Sequence, residues 1–348
     1  MLKAQSGLES NVLRDYGSIE RILPAWAELW ECCGNSTTFQ RPEWLSVWIA
    51  VFQPQQPFVI AIWRGSQLVG LAPLLIYERD GQRVLALMGG GVSDYLDVLI
   101  DPSFADESLS MIWEQIAREA SNWDLIDLTD LPCASALLRR PARFWPWVIE
   151  MQDACPVLTL PANAKTLTSA VPNRQLRNVR NARNRLAKIG GGEIKLASSE
   201  NLPAFLDAIM QLHGCRWAQD GLPGMMSHPA VQEFHRRVAP WLLKKGVLRL
   251  YGLLTEGRFI AALYALFEKE VAYYYLQGFD PQWKWFSPGT QILGAVVEDA
   301  LREGKRKIDF LRGRESYKYQ WGTHDEPTFR LTTRRSVQEQ TELSRIAA

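Results

Sequence analysis

A repeated strand pattern constrains the fold of this chain more than any other feature of its sequence. Residues 57–76 contain two apolar runs separated by a glycine-containing turn, and residues 248–267 repeat this arrangement. A third apolar run follows each pair, at 84–88 and at 271–276. Short apolar runs separated by tight turns are typical of β-hairpins. The sequence therefore predicts two three-stranded meanders, one in each half of the chain.

Helical patterns surround the two meanders in the same order. Apolar residues at helical spacing occupy 19–32, 42–52 and 104–120 in the first half and 200–218, 229–245 and 290–303 in the second. A further strand follows the last of these helices in each half, at 125–128 and at 307–310. This order indicates one α/β unit duplicated in tandem. We therefore predict an α/β (α+β) fold with two similar domains, 1–155 and 156–348, each a mostly antiparallel mixed sheet flanked by helices. The division is expected near Pro146–Pro161, where proline and turn residues accumulate.

Length and composition limit the classes of protein that fit. The 348 residues exceed one typical domain. The 39 basic and 38 acidic residues nearly cancel, so net charge gives no reason to expect nucleic-acid or membrane binding. No apolar run is long enough for a transmembrane segment, and the N-terminus lacks the apolar core of a signal peptide. Five cysteines without metal-ligand spacing predict free thiols, so we expect a cytoplasmic protein without a bound metal.

A candidate anion site precedes the predicted helix at 290–303. The loop contains proline, which pre-sets the backbone entry, and glycine, which lets a ligand approach the backbone. Unpaired amides and the helix dipole favour an anion at such a position. We predict that phosphate groups of a cofactor bind at Ser287, Pro288, Gly289 and Thr290. The pyrophosphate of acyl-coenzyme A (acyl-CoA) would suit this loop, whereas the competing interpretation is an ordinary turn before a helix.

Polar side chains are concentrated directly after the predicted strand at 307–310, where ligands usually sit in open α/β sheets. Lys318 could hold a phosphate or polarise a thioester carbonyl. Glu315 could accept a proton from an attacking amine or hydroxyl, and Tyr317 could reprotonate the leaving thiolate. Substrate contacts are predicted for Asp309 and Arg312. The alternative is a solvated loop with a local Glu–Lys pair.

An acidic segment in the first half is a candidate acceptor site. Asp94, Tyr95 and Asp97 follow three consecutive glycines at 89–91. Two carboxylates flanking an aromatic ring could bind a sugar or an amine, and Asp94 could act as the general base. The alternative is an aspartate-capped turn leading into a strand at 96–100.

A basic segment lies between the two predicted domains. Residues 166–188 contain six basic and no acidic residues, and 174–186 are predicted to form an amphipathic helix ended by three glycines. Arg177 and its neighbours could clamp a nucleotide-sugar diphosphate, the 3′-phosphate of coenzyme A or RNA. The alternative is a solvated cationic face.

These segments together resemble the CelD/BcsL-type GNAT acyltransferases, which carry a FemAB-like pair of GNAT domains. The resemblance rests on the helix 174–186, Leu212-His-Gly-Cys-Arg-Trp217, Tyr275-Leu-Gln-Gly-Phe-Asp280, Ser287–Thr290, Asp309–Lys318 and Trp321. It covers about 165–322 well and extends loosely to Gly90–Asp97. It implies a GNAT fold, direct acyl transfer from acetyl-CoA or another acyl-CoA, and a link to polysaccharide or envelope biosynthesis.

The sequence also departs from the family pattern. Typical GNAT enzymes carry a Gln/Arg-x-x-Gly-x-Gly/Ala phosphate loop, whereas Ser287–Thr290 stands at the helix start here. Related Fem-type enzymes use aminoacyl-tRNA as donor, and only that function would bring a nucleic-acid partner.

Three functions therefore stay open. The first is an acyl-CoA-dependent N- or O-acyltransferase, most simply an acetyltransferase, acting on an amine or hydroxyl of a sugar, polysaccharide or cell-envelope precursor. The second is a Fem-type aminoacyl-tRNA-dependent transferase. The third is a non-catalytic accessory protein of exopolysaccharide biosynthesis. Peripheral association with the envelope biosynthesis machinery is compatible with each of them.

Overall fold

The structure is a computed structural model that describes residues 7–139, 145–162, 167–219, 221 and 224–335. This description does not include the side chains of 216–219, among them Trp217 of the family resemblance. It also does not include 336–348, the end of the predicted second domain. The described residues fall into two units. One contains the residues up to Asp153 and from Pro327 onward, and the other contains Ala154–Glu326.

The first unit contains the first predicted meander with its flanking helices. Its elements in chain order are β1 (Leu8–Leu13), α1 (Tyr16–Arg21), α2 (Leu23–Cys32), α3 (Pro42–Phe52), β2 (Gln56–Arg64), β3 (Gln67–Arg79), β4 (Gln82–Leu87), β5 (Leu99–Ile100), α4 (Ala105–Arg118) and β6 (Leu125–Pro132). The meander is confirmed as β2–β3–β4. The prediction of a strand at 96–100 is wrong for residues 96–98, which have irregular backbone. Residues 99 and 100 form β5, which pairs with β3.

The second unit contains the basic helix and the second meander. The remaining elements are β7 (Val148–Thr159), α5 (Leu167–Ala170), α6 (Asn173–Ala187), β8 (Glu193–Leu196), α7 (Leu202–Gln219), α8 (Pro229–Lys244), β9 (Leu248–Thr255), β10 (Arg258–Glu268), β11 (Val271–Phe279), α9 (Pro288–Arg302), β12 (Lys307–Asp309), α10 (Ser316–Tyr319) and β13 (His324–Arg334). The predicted basic helix is α6, and the second meander is β9–β10–β11. Strand β7 begins in the first unit, and β13 ends there.

The strands of the first unit follow the order β1-β2-β3-β4-β6-β13, with only β4 and β6 parallel among these pairs. Helix α4 is amphipathic and buries Ile112, Trp113 and Ile116 in the core of this unit. The Trp113 ring meets Trp147 edge to face, with centroids 4.8 Å apart. Such aromatic pairs add to the apolar area that burial removes from water.

The strands of the second unit follow the order β7-β12-β11-β10-β9-β8, again with a single parallel pair, β11 and β12. Helix α9 buries Ile292 and Val296 in its core. Helix α6 packs closely on α9 at Gly294, where a Cβ atom would lie 2.8 Å from Cγ1 of Val179. The predicted mixed α/β architecture, with mostly antiparallel sheets flanked by helices, is confirmed. None of the described helices is long and apolar enough to cross a bilayer.

Strands β11 and β12 separate early, and this creates an opening in the second unit. They pair only through Val271–Tyr273 and Lys307–Asp309. Beyond that point β11 stays on β10 as far as Phe279, whereas the chain after β12 follows β7, with the Phe310 amide donating to the Pro156 carbonyl at 2.9 Å. The edge of β11 that continues past β12 is therefore available to line a site.

Strand β13 shifts the limits of the two units from those expected. It pairs antiparallel with β6, and Arg330 donates to both carboxylate oxygens of Asp127 at 2.6 and 2.8 Å. Residues from Pro327 therefore belong with the first unit, and the second unit, Ala154–Glu326, differs from the predicted 156–348 at its C-terminal end. The strand was not predicted because its sequence, rich in Thr and Arg, has few apolar residues.

The Arg330–Asp127 pair gives a pH-dependent stability prediction. Burial would raise the pKa of Asp127, but hydrogen bonds from Arg330 and Arg79 outweigh it and hold the pKa below its usual value. A carboxyl whose folded pKa is depressed stabilises the fold above its unfolded pKa of about 3.9 and loses this effect as pH falls through the folded pKa. We expect Arg330→Met to lower the free energy of unfolding by about 1–2 kcal/mol at pH 7, since the guanidinium is partly exposed.

Urea denaturation at pH 7 and pH 3 checks this expectation. The difference between wild type and variant should shrink at pH 3, because that pH lies below the unfolded pKa of about 3.9 and protonation of the unfolded chain then removes part of the stabilisation that the ion pair supplies. Arg334→Met, on an exposed side chain of the same strand, is the matched control and should change little. An equal loss at both pH values would show that the charge of Asp127 is not involved.

Candidate active site

A cavity of about 390 Å³ lies in the second unit where β11 ends and α9 begins. Its size falls within the range of small-molecule sites. It is lined by Gln175, Gln277, Phe279, Lys284, Ser287, Pro288, Gly289, Thr290, Leu293, Tyr317, Gln320 and Trp321. The four residues of the predicted anion loop are therefore brought together with Tyr317. Lys318, Glu315, Asp309 and Arg312 are not among the lining residues.

The start of α9 is shaped by an unusual backbone at Ser287. This residue has φ +50°, a left-handed conformation that is uncommon for residues with a Cβ atom. It reverses the chain from the 3-10 helix Pro281–Phe286 into α9. The Ser287 carbonyl accepts from the amides of Thr290 at 3.1 Å and Gln291 at 3.2 Å, which fixes the first turn.

This turn leaves fewer amides for an anion than the sequence suggested. The Ser287 amide donates to the Lys284 carbonyl at 3.0 Å, the Thr290 amide is used within the turn, and Pro288 has no amide hydrogen. Among the described residues, only the Gly289 amide of this loop has no acceptor. The predicted cradle of several amides is thus reduced to one, because the tight turn itself consumes the others.

Gln277, which was not predicted as a site residue, supplies a second donor. Tyr274 donates its hydroxyl proton to Oε1 of Gln277, so the Nε2 donors of this amide are directed elsewhere. They lie against Gly289, where any Cβ atom would overlap Nε2 of Gln277. The absence of a side chain at Gly289 therefore leaves two neighbouring N–H groups at the cavity wall.

A β-bulge explains why sequence periodicity did not reveal Gln277. Residues three apart in a regular strand point to opposite faces. The neighbouring residues Tyr264 and Ala265 of β10, however, pair with Leu276 and Tyr274 of β11. Tyr275, which lies between those two residues of β11, is therefore an extra residue. Tyr274 and Gln277 can therefore share a face and hydrogen-bond. The segment stands out in the sequence, but the extra residue does not.

Tyr317 is the one member of the predicted catalytic loop that lines the cavity. It belongs to α10, and its hydroxyl donates to the hydroxyl of Tyr274 at 3.4 Å. Tyr274 donates in turn to Gln277. A chain of polar groups therefore runs from α10 to β11, which places a phenol with an exchangeable proton on the wall.

Lys318 is turned into the protein. Its side chain is 3% exposed, and Nζ contacts the carbonyls of Leu311 at 3.3 Å, Arg312 at 2.7 Å and Gly313 at 3.1 Å. Nζ also lies 3.0 Å from a carboxylate oxygen of Glu315. An ammonium group has three donors, and these four oxygens account for them. The geometry therefore gives no support to a role of Lys318 or Glu315 on substrate, and those roles stay predictions.

The contacts of Lys318 compensate for a strained backbone. Leu311, a bulky buried residue, has φ +56°, a conformation that costs roughly 1–3 kcal/mol. Its carbonyl is bound by Lys318, and its amide donates to Oδ1 of Asp309 at 2.8 Å. Asp309 and Lys318 thus fix the loop that leads to Tyr317. The predicted substrate contacts of Asp309 and Arg312 stay predictions.

Positive charge and an exposed indole surround the mouth of the cavity. Lys284 is among the lining residues. Nη2 of Arg185 donates to Oγ of Ser287 at 3.2 Å, and its guanidinium lies over the Trp285 ring at 5.7 Å. Trp285 is 76% exposed, which is unusual for tryptophan. This combination suits phosphates and planar groups.

The basic helix divides into paired and solvent-facing arginines. Arg183 forms a two-point ion pair with Glu298 of α9, at 2.9 and 3.0 Å. Arg174, Arg177 and Arg180 are exposed, and no ion pair joins them to an acid in the described part of the chain. The solvated-face interpretation therefore accounts for part of α6, and the role of Arg177 in binding phosphate stays a prediction.

The predicted acceptor residues lie in the first unit. The Tyr95 ring is 6% exposed and lies 6.3 Å from the Phe39 ring, so it is largely part of the core. Asp94 is half-buried. Asp97 accepts a hydrogen bond from Ser135 and lines a separate small cavity of this unit. Their roles toward an acceptor stay predictions. No group of three or more His, Cys, Asp or Glu residues is placed to hold a metal among the residues that the structure describes.

Comparison with known proteins identifies the domain around the cavity. Residues 173–319, which include Gln277, the loop at 287–290 and Tyr317, match the family described as Acetyltransferase (GNAT) domain. This region of the second unit is therefore similar to GNAT-type acetyltransferase domains. No curated protein matches the chain.

Solved structures confirm the similarity of the fold. FemX is 13% identical with a TM-score of 0.66, covering 88% of this chain and 95% of that one. The C-terminal domain of a putative lysylphosphatidylglycerol synthetase from Agrobacterium fabrum is 10% identical with a TM-score of 0.59, covering 94% and 95%. L-PGS from Bacillus licheniformis is 12% identical with a TM-score of 0.56, covering 95% and 96%. At these identities the similarity concerns the fold alone.

The position of Lys318 leads to a prediction that separates structure from chemistry. Lys318→Met removes a buried cation from three carbonyls and a carboxylate, so we expect the free energy of unfolding to fall by about 2–3 kcal/mol. Urea denaturation measures this loss, and Lys188→Met, on an exposed side chain at the end of α6, should show almost none. A stable variant whose turnover falls by roughly 10²–10³ would instead support direct action on the transition state.

Proposed function

We propose that the second unit transfers an acyl group, most simply acetyl, from acyl-CoA to an amine or hydroxyl of a sugar, polysaccharide or cell-envelope precursor. The observation that carries the proposal is the cavity at the start of α9, where the Gly289 amide and Nε2 of Gln277 meet inside a GNAT-type domain. The finer CelD/BcsL relationship belongs to the same proposal and rests on the resemblance of the motifs.

The donor-binding part of the proposal follows from charge and geometry. The Gly289 amide stands at the positive end of the α9 dipole, and Gln277 adds a second donor beside it. Lys284 and Arg185 add positive charge at the rim. This set suits the pyrophosphate of coenzyme A, with the thioester extending along the cavity.

The transfer step is a direct substitution at the thioester carbonyl. The acceptor nitrogen or oxygen forms a bond to the carbonyl carbon, and the carbon–sulfur bond breaks with its electron pair moving to sulfur. Tyr317, on the cavity wall, is proposed to give its proton to the thiolate, and the proton lost by the acceptor replaces it. The products are the acylated acceptor and coenzyme A, without a covalent enzyme intermediate.

Gly289 provides the test of the donor site. Gly289→Val places a branched side chain where Nε2 of Gln277 now lies, so the donor pair is disrupted. We expect acetyl-CoA affinity measured by calorimetry to fall by about tenfold or more, the effect of losing hydrogen bonds to a charged group. Gly214→Val is the matched control, because a Cβ atom at this helical glycine meets nothing within 4 Å. Unchanged affinity in Gly289→Val would place the donor elsewhere.

A Fem-type aminoacyl-tRNA-dependent transferase is the second candidate. The specific observation in its favour is the exposed row Arg174, Arg177 and Arg180 on α6. A row of exposed cations can contact successive phosphates of a nucleic-acid backbone, whereas a single small cofactor offers fewer phosphates to bind. Failure of the wild type to bind any acyl-CoA would favour this candidate or the accessory role.

The two donors can be distinguished through these arginines. If tRNA is the donor, replacing Arg174, Arg177 and Arg180 by Gln should weaken tRNA binding. The slope of log affinity against log salt should then become shallower by about two to three, since each phosphate contact contributes nearly one. Replacing the exposed Arg236, Arg237 and Arg302 by Gln removes the same charge outside α6 and serves as the control. Equal losses in both triple variants would indicate non-specific attraction only.

A further inference from the structure

A second, smaller cavity lies entirely within the first unit. Its volume is about 130 Å³, and it is lined by residues 33–36 and 97–100 together with Gln40, Pro102, Pro132, Ala134 and Ala136. The one ionisable carboxyl group that lines it is Asp97. Asp97 is also one of the residues predicted to bind an acceptor, whereas the cavity that carries the acyl-transfer proposal belongs to the second unit.

The hydrogen bonds of Asp97 involve one of its two carboxylate oxygens. The Leu96 amide donates to the Asp130 carbonyl at 3.0 Å, which fixes the segment beside β6. Oδ1 of Asp97 accepts from Oγ of Ser135 at 2.6 Å and from the Val98 amide at 2.8 Å. Within the described part of the chain, Oδ2 accepts no hydrogen bond and no cation pairs with the carboxylate.

The surroundings of Asp97 favour a cation beside its carboxylate. Burial raises the pKa of Asp97 to about 7, although the hydrogen bonds from Ser135 and Val98 oppose the increase. The Asp97 side chain is half-buried, and a carboxylate that is partly removed from water gains more from a counter-charge than a fully solvated one does. A cation placed at Oδ2 would supply that counter-charge.

The other polar groups around the cavity favour a ligand that donates hydrogen bonds. The Cys33 thiol donates to the Ile100 carbonyl at 3.2 Å, and the Ser36 hydroxyl donates to the carbonyls of Trp30 and Cys33. With Ser135 already bound to Asp97, the hydroxyl and thiol donors of the wall are used within the protein. Of the other lining side chains, Asn35 presents an exposed amide that can donate or accept, and Asp97 presents the charged acceptor.

We propose that this cavity binds the primary ammonium group of a small molecule, with Oδ2 of Asp97 as its ion-pair partner. An ammonium carries one positive charge and three N–H donors, which match the carboxylate. The volume equals that of about four liquid waters at about 30 Å³ each, so an aminoalkyl group of a few non-hydrogen atoms fits. The proposal stands whether or not the second unit uses acyl-CoA.

Ethanolamine and ethylene glycol provide a matched pair of probes for the full chain. They differ in one group, ammonium against hydroxyl, and both suit the volume of the cavity. At pH 8 the Asp97 carboxyl is mostly ionised and an alkylamine is mostly protonated. Ligand-observed saturation-transfer NMR should show ethanolamine binding at least about tenfold more tightly than ethylene glycol. Equal binding of both probes, or no binding of ethanolamine, would overturn the proposal.

Variants locate the binding. Asp97→Asn keeps the shape and the bond to Ser135 but removes the charge, and should weaken ethanolamine binding about tenfold or more. Asp106→Asn, at a carboxylate that is 87% exposed, is the control and should bind ethanolamine like the wild type.

Ala134→Leu gives an independent check if Asp97→Asn fails to fold. It enlarges an exposed side chain at the cavity wall without touching Asp97, and it should also reduce ethanolamine binding. Ethanolamine affinity that is unchanged in Ala134→Leu, or in a folded Asp97→Asn, would show that the amine binds elsewhere and that Asp97 only stabilises its turn.

Discussion

The candidate active site depends on the early separation of β11 from β12. A parallel pair that continued beyond Asp309 would fill the space at the end of β11 with backbone hydrogen bonds. Instead the chain after β12 hydrogen-bonds to β7, and the end of β11 pairs with β10. The bulge at Tyr275 then turns Gln277 toward the start of α9. The opening therefore follows from the short pairing of β11 with β12, and the bulge brings the Gln277 amide to this opening.

The loop after β12 shows how buried charge can serve geometry rather than chemistry. A bulky residue with positive φ would relax unless its neighbours held it. Asp309 binds the Leu311 amide and Lys318 binds its carbonyl, while Glu315 balances the charge of the lysine. The result is a fixed path into α10, which sets the position of the Tyr317 ring. Polar residues gathered after a strand can thus act one step away from the ligand.

The sequence predicted those features that depend on periodicity. Both meanders, the basic helix and α9 follow from the spacing of apolar residues. The loop at 287–290 lines a cavity, and its role in binding a donor stays a prediction. The sequence could not reveal β13, because a strand rich in Thr and Arg lacks an apolar pattern. It could not reveal the role of Gln277 or the inward turn of Lys318, since a one-residue bulge and a left-handed leucine are tertiary features.

The pairing of β13 with β6 has a consequence for the order of folding during synthesis. Asp127 and its partner Arg330 are 203 residues apart, so the ribosome needs at least about 10 s at 5–20 residues per second to make the second after the first. During that interval β6 lacks its neighbour and presents an unpaired edge to other nascent chains. The whole second unit is translated within the same interval. The first unit is therefore translated first, but its sheet is complete only when β13 has been made. Until then, the unpaired edge of β6 has to be protected from pairing with other chains.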